Sequence, residues 1–263
     1  MKLPRVLGHE VSGIVDQVGD GVTNVALGDH VSLESHIFCG TCRPCRLGNA
    51  HLCNNTTYPG IDIDGAFADY VTVPALIAWK NPKDLPHETA AMLEPFGIGV
   101  HACLEGSGVS GQTVLINGCG PIGLMAVSVA RALGASRIIA ADLNPLRLKT
   151  AEIMGADRAV KADDENLGDV VRDMTGGEGA DVGIEFSGSE PGFQAVFDSL
   201  CKGGDFRLVG APPKAIPVDF TWWLLKCPRM VNIHGRRIWD TWQRSTELVY
   251  SGAVDLKTIQ SHV

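Results

Sequence analysis

The sequence predicts an α/β protein in two parts, a β-rich amino-terminal portion followed by a doubly wound parallel sheet. Three observations carry that expectation. Up to about residue 95 the apolar stretches are short, β-branched and punctuated by Gly, Asp and Pro. From about residue 98 apolar strand-like runs alternate with helical patterns, the texture of βαβ units on a parallel sheet. Between the first such run and the first such helix lies a glycine-rich turn.

In chain order, "EVSGIVDQVG", "GDHVSL" and "GAFADYVTVP" read as strands of an all-β portion. The second part opens with the strand "TVLING", the helix "IGLMAVSVARALGA", the strand "RIIAAD" and the helix "LRLKTAEIMGA". Later strands are expected at "ADVGIEFSG", "DFRLVG" and "MVNIHG", with helices over 166–174 and 190–201. The boundary is expected at "EPFGIG", 94–99, where a Pro and two glycines interrupt the pattern. This divides the chain into 1–95, 96–238 and a tail over 239–263. No internal repeat or low-complexity stretch is evident.

Composition narrows the function. The chain has 263 residues, 45% hydrophobic and 20% charged, enough for a core without disulfide staples. A net charge of -8 disfavours nucleic acid and anionic membrane as partners and favours small-molecule chemistry. With neither a bilayer-length apolar run nor a signal-peptide pattern, the sequence leads to the expectation of a cytoplasmic protein.

"CGTCRPCRLGNAHLC" places Cys39, Cys42, Cys45 and Cys53 in one polar loop, at gaps of two, two and seven residues. Such a loop can bring four thiolates to the corners of a tetrahedron, as a structural zinc requires, and Arg43 and Arg46 offset the negative charge of the centre. An iron–sulfur run would have a three-residue last gap followed by Pro, whereas here the gap is seven and Asn54 follows. Disulfides would suit a secretory context, of which the sequence shows no sign. Cys103, Cys119, Cys201 and Cys227 stand apart in apolar surroundings and read as small packing residues.

"VLINGCGPIGLMAVSVARALGA" places Gly118, Gly120 and Gly123 after a strand, with Pro121 and Ile122 opening the helix. In that setting Gly118 permits the tight turn, Gly120 lets backbone approach a pyrophosphate, and Gly123 lets helix pack on strand. The helix N-terminus offers unpaired N–H groups to the phosphates. Asp142, ending the next strand, can accept hydrogen bonds from an adenosine ribose and would repel a 2′-phosphate, so NAD is expected over NADP. Arg147 falls near the adenine end, either as a contact or as an exposed helix charge. "VLGHEVSG" supplies His9 and Glu10, and Glu94 lies at the expected boundary; these could hold a catalytic zinc or be surface features.

Taken together, Gly8-His9-Glu10, the cysteine loop with "HLCNNT", "DGAFADYVTVP", "AWKNP", "EPFG", "GCGPIG", "EFSG" and "HGRRIWDTW" followed by "SGAVDL" resemble the zinc-dependent medium-chain dehydrogenases over essentially the whole chain. Within that family the threonine-oxidising branch is the most similar. The resemblance implies a partial GroES-like catalytic domain, with its structural-zinc lobe at 36–56, and a Rossmann domain, with the active site in the cleft between them. It implies that His9, Glu10 and Glu94 match the catalytic-zinc residues and the four cysteines the structural-zinc residues. His36 matches a position near the substrate pocket, a solvated loop histidine being the other reading. Arg236 matches a stretch near the nicotinamide, or is an exposed arginine. His101 is expected to be structural, and Trp239 and Trp242 to be packing anchors on one helix.

The implied reaction is NAD-dependent oxidation of a secondary alcohol, L-threonine first, with a polyol or 2,3-butanediol as alternative and a non-catalytic NAD-binding protein as the rival from another class. A small-molecule partner and a homotetramer are implied with it. The family's first catalytic Cys lies tens of residues before its His-Glu pair, a stretch this sequence does not contain. The chain is accordingly expected to be a fragment lacking both ends, binding structural zinc but turning over poorly or not at all.

Overall fold

The computed structural model describes residues 3–260. They divide into two compact units, one running up to Gly97 and including Gly235–Thr246, the other comprising Ile98–His234 and the residues from Glu247 onward.

In the first unit, β1 (Ser12–Ile14), β2 (His30–Leu33) and β3 (Ala78–Lys80) form an antiparallel sheet with β2 central. Ser32 faces Ser12 on one side and Trp79 on the other. Every residue of β2 is buried, and Val31, Leu33 and Ile77 gather Val11, Val15, Val25, Ile37, Val71 and Val73 into a cluster that is β-branched but for Leu33. This part is less regular than the sequence implied. "GAFADYVTVP", expected as a strand, joins no strand ladder. Gly65, Ala66 and Phe67 donate their N–H groups to the carbonyls of Val6, Gly8 and Leu7, and Phe67 and Tyr70 are 77% and 76% exposed. Extended backbone becomes a strand only where a neighbour continues the ladder.

The short helix α1 (Arg43–Arg46) lies in the cysteine loop. The long helix α2 (His87–Leu104) runs through the stretch in which Pro95, Gly97 and Gly99 suggested an interruption. Those glycines are places of close approach instead. A Cβ on Gly97 would stand 2.4 Å from Arg236 Cδ, and one on Gly99 would stand 3.1 Å from the Ala126 nitrogen. The division between units falls within this helix, at Gly97/Ile98.

The second unit is a six-stranded parallel sheet with helices between its strands. Its strands are β4 (Thr113–Asn117), β5 (Arg137–Asp142), β6 (Arg158–Lys161), β7 (Ala180–Glu185), β8 (Leu200–Leu208) and β9 (Arg229–Asn232). They lie in the order β6-β5-β4-β7-β8-β9, all parallel. The connection reverses direction beside β4, so β4 and β7 flank the switch point where such sheets bind ligands. β4 is buried throughout, as its unbroken apolar run requires.

The helices are α3 (Pro121–Ala132), α4 (Pro145–Ile153), α5 (Leu167–Met174), α6 (Glu190–Ser199), α7 (Phe220–Lys226) and α8 (Asp240–Tyr250). Asn144, Asn166 and Ser189 cap α4, α5 and α6 through their side chains. α6 ends two residues before the expected 201, because Leu200 already begins β8. Buried Arg207 donates to the carbonyls of Ala102, Cys103 and Gly108 and pairs with Asp205, closing the end of α2. Trp239 does not share the helix of Trp242: it precedes α8 with φ +70° and stacks on Trp79. Among the described residues no helix is long and apolar enough to cross a membrane.

Candidate metal centres and dinucleotide site

The four thiols of the cysteine loop converge. Cys42 Sγ lies 3.4 Å from Cys45 Sγ and 3.8 Å from Cys53 Sγ, and Cys53 Sγ lies 3.5 Å from Cys39 Sγ. A disulfide would need about 2.05 Å, whereas a tetrahedron with Zn–S bonds of about 2.3 Å has edges of about 3.8 Å. Backbone N–H groups of Cys39 and Asn55 point at Cys53 Sγ, and that of Cys42 at Cys39 Sγ. Hydrogen bonds at and around Thr41, then Cys42, lower the Cys39 thiol to about 5, the direction a metal-binding thiolate needs. Burial pushes Cys45 up to about 12, so its thiolate depends on a cation. Donor type, number and spacing all fit a closed zinc site.

A second group lies in the same unit. One ligand atom each from His9, Glu10 and Glu94 falls within 4.8 Å of the others. His9 follows Gly8, whose φ of +97° and closeness to the Phe67 ring leave no room for a side chain. Gly65 packs on the same backbone, where a Cβ would stand 2.3 Å from the Gly8 carbonyl oxygen. The Glu10 carboxyl is raised by its partial burial and by the charge of Glu94, against the opposing pull of His9 and Arg236. Two like charges brought together this way ask for a cation. One imidazole and two carboxylates suit a zinc that keeps a position open.

Glu94 is held by Arg236, which donates through Nη1 to its carboxylate at 2.7 Å and its carbonyl at 2.9 Å. The remaining Arg236 donors reach Glu34 twice, through Nε at 2.9 Å and Nη2 at 2.6 Å, and Ser35 Oγ at 2.9 Å. Arg236 is 1% exposed. The structure thus corrects the expectation of an exposed arginine: Arg236 is buried in the first unit, and its five N–H groups are taken by this cluster. His36 is also buried rather than solvated, its Nδ1 2.6 Å from Glu34 Oε1. Glu34 further accepts from the Trp242 indole at 2.6 Å. Burial would raise the Glu34 carboxyl, but the charge of Arg236 and the hydrogen bonds of His36 and Arg236 hold it far below the usual range. His101 lies buried on α2, 3.4 Å from Glu105.

In the second unit a pocket opens at the carboxyl ends of β4, β5 and β7. Gly118, Gly120, Pro121, Ile122, Gly123, Asp142 and Arg147 line it, together with Asn117 and Ser187. The three glycines differ physically. Gly118 has φ +94°, and a Cβ there would meet the Ser187 nitrogen at 2.8 Å. One on Gly123 would lie 1.9 Å from the Gly118 carbonyl oxygen, whereas one on Gly120 would meet nothing within 4 Å and would project into open space. Gly120 caps α3 without a side-chain acceptor, leaving the first-turn N–H groups for an anion. A Cβ at Gly120 would fill a cradle that fits a pyrophosphate.

Asp142 Oδ2 accepts from the Cys119 nitrogen at 2.7 Å and Oδ1 from the Asn144 nitrogen at 2.8 Å, which fixes the carboxylate at the pocket rim. Arg147 is half-exposed, 3.8 Å from Asp142. Cys119 is fully buried, and its thiol is pushed up to about 12 by burial, which leaves it inert. Sequence reasoning missed Glu34, Asn117 and Glu185. Glu34 and Glu185 have near partners in His36, Ser187 and Gly188, but what ties each to a site is a partner far away in the chain, Arg236 and Trp242 for Glu34 and Asn117 for Glu185, which no local spacing marks.

The chain matches the model of the alcohol dehydrogenase GroES-like domain over residues 1–83 and that of the zinc-binding dehydrogenases over 121–251. It is 44% identical over 263 residues to the L-threonine 3-dehydrogenase of Bacillus velezensis (strain DSM 23117 / BGSC 10A6 / LMG 26770 / FZB42), covering 100% of this chain and 76% of that one. The L-threonine 3-dehydrogenase of Shewanella frigidimarina (strain NCIMB 400) is 42% identical over 260 residues, 99% of this chain and 76% of that one. Among solved structures, the alcohol dehydrogenase TADH from Thermus sp. ATN1 superposes with a TM-score of 0.93 at 32% identity, over 99% of this chain and 79% of that one.

Proposed function

The chain belongs to the zinc-binding dehydrogenases built on an alcohol dehydrogenase GroES-like domain, and from that premise we propose that it takes L-threonine to 2-amino-3-oxobutanoate with NAD as oxidant. The observation that carries the substrate is the identity of 44% with an L-threonine 3-dehydrogenase, spread over all 263 residues rather than confined to one domain.

His9, Glu10 and Glu94 are the residues that would hold a catalytic zinc, and the glycine turn with the start of α3 would hold the dinucleotide. When bound, zinc stabilises the negative charge of the substrate oxygen and nicotinamide accepts the hydride. The chain's own residues prepare both. Arg236 holds the Glu94 carboxylate through one oxygen, Oε1, and anchors its backbone carbonyl, leaving Glu94 its second oxygen. Gly120 leaves backbone and helix N–H groups open to phosphate oxygens. Asp142 retains acceptor capacity for ribose hydroxyls, and its charge disfavours a 2′-phosphate. Overall the alcohol loses a hydride to nicotinamide and a proton to solvent.

Steady-state assays on the zinc-loaded protein test the reading, with L-threonine, sorbitol and 2,3-butanediol each offered with NAD and with NADP. The highest kcat/KM is expected for threonine with NAD. Preference for either diol class, or no turnover alongside tight dinucleotide binding, would replace it.

A further inference from the structure

Glu185 ends β7 and stands opposite Asn117, the last residue of β4, in the parallel ladder. It is 1% exposed, at the carboxyl ends of the two strands that flank the switch point. Its carboxylate accepts four hydrogen bonds, every one from a neutral donor. Asn117 Nδ2 donates at 3.0 Å, the Ser187 nitrogen at 2.8 Å and the Gly188 nitrogen at 2.9 Å, with the Ser187 hydroxyl as the fourth. A buried carboxylate held only by neutral donors is a demanding arrangement that fixes its donors in return.

The donors are the pocket wall. Asn117 and Ser187 line the dinucleotide pocket, and so do Phe186, Ser189 and Gly192 beyond them, whereas Glu185 does not. From Ser187 the scheme continues to Ser189 Oγ at 2.9 Å, and from there Ser189 Oγ accepts from the Gly192 nitrogen at 3.1 Å, in the first turn of α6. The turn is seated without slack. A Cβ on Gly192 would lie 2.5 Å from both Asn117 Nδ2 and Ser187 Oγ, and one on Gly118 would lie 2.8 Å from the Ser187 nitrogen. The turn after β7 and the glycine turn after β4 therefore share one packed contact, and Glu185 is the group that anchors it.

We propose that Glu185 is a positioning residue for the dinucleotide. Through Asn117 and the 186–189 turn it fixes the wall against which the glycine-turn end of the cofactor lies. The inference rests on the reading of this pocket as a nicotinamide dinucleotide site. Glu185 makes no contact with the pocket itself, and its effect passes through the residues it holds.

The test is fluorescence titration with NADH, together with the KM for NAD, on the full chain and its Glu185→Gln, Glu185→Asp and Ser187→Ala variants. Gln presents an amide to donors that need an acceptor. It is expected to weaken NADH binding about tenfold, a change of about 1.4 kcal/mol. The KM for NAD is expected to rise by more than kcat falls, with bound zinc unchanged. Asp, which keeps the charge, is expected to recover part of the affinity, and Ser187→Ala to reproduce part of the loss. Binding by Glu185→Gln within twofold of the unaltered protein overturns the proposal, as does a lowered melting temperature with no shift in Kd. Should Glu185→Gln fail to fold, Ser187→Ala and Asn117→Ala decide, and two variants with unchanged Kd overturn it. If the unaltered, folded protein binds neither NADH nor NADPH, the reading of the pocket fails instead, which is a separate result.

Discussion

Arg236 closes a two-pronged ion pair on Glu34 across 202 residues of chain, Nε on one carboxylate oxygen at 2.9 Å and Nη2 on the other at 2.6 Å. Both partners are essentially without solvent contact. The same guanidinium reaches Glu94, so one cation serves two buried carboxylates, one of them in the candidate catalytic metal group.

Removing that cation takes the guanidinium away from two buried carboxylates at once and leaves Glu34 only its neutral donors and His36. Arg236→Met is expected to cost about 3–5 kcal/mol of stability, read from denaturant midpoints. Adding Glu34→Gln to it should restore part of the loss, because one of the two stranded charges is then gone.

The pair also sets an acid limit. Glu34 titrates in the folded protein far below its ordinary value of 4.5, so its stabilising contribution is full above that value and is lost as pH falls below it. Unfolding midpoints measured from pH 7 down to about pH 3 should fall, and Glu34→Gln should flatten the part of the decline that Glu34 causes.

Gly120 and Gly123 should separate binding from folding. Gly123→Ala drives a methyl against the Gly118 carbonyl, where 1.9 Å is available, so melting temperature and dinucleotide affinity should both drop. Gly120→Ala meets no protein atom within 4 Å, so the melting temperature should hold while NADH affinity falls. Calorimetry and fluorescence titration on the two variants check the contrast.

Asp142 is expected to discriminate against a 2′-phosphate. Asp142→Ser removes the charge at the pocket rim and leaves Arg147 beside it. The ratio of kcat/KM for NAD to that for NADP should fall at least about tenfold, equivalent to about 1.4 kcal/mol.

Cys45→Ser takes one sulfur from the loop whose four thiols lie 3.4–3.8 Å apart along three edges of the tetrahedron. Bound zinc should drop by about one equivalent and thermal stability with it, measured by metal analysis and calorimetry. Chelation of the unaltered protein should produce the same loss of stability.

The second unit was the more legible in sequence, because its signals are local. Strand texture at 113–117 and 137–142, the glycines at 118, 120 and 123 and the caps of its helices all act within a few residues. The cysteine loop was legible for the same reason, since its four ligands lie within 15 residues. The first unit was not. Whether 65–74 forms a strand depends on which backbone lies beside it, and the glycines of α2 answer to the Arg236 side chain and to the backbone of α3. The clusters around Glu34 and Glu185 escaped for a related reason. A buried acid looks like any other acid until its donors are known, and Arg236 and Trp242 lie over 200 residues from Glu34.

Three of the five tryptophans, Trp79, Trp239 and Trp242, are stacked together in the first unit, with ring centroids 5.6 and 5.8 Å from Trp79. The Trp242 indole is tied to Glu34, so any event that disturbs this carboxylate also changes the polarity around the stacked rings. The molecule thus carries its own optical gauge, and its ultraviolet emission should register a loosening of that cluster without an added label.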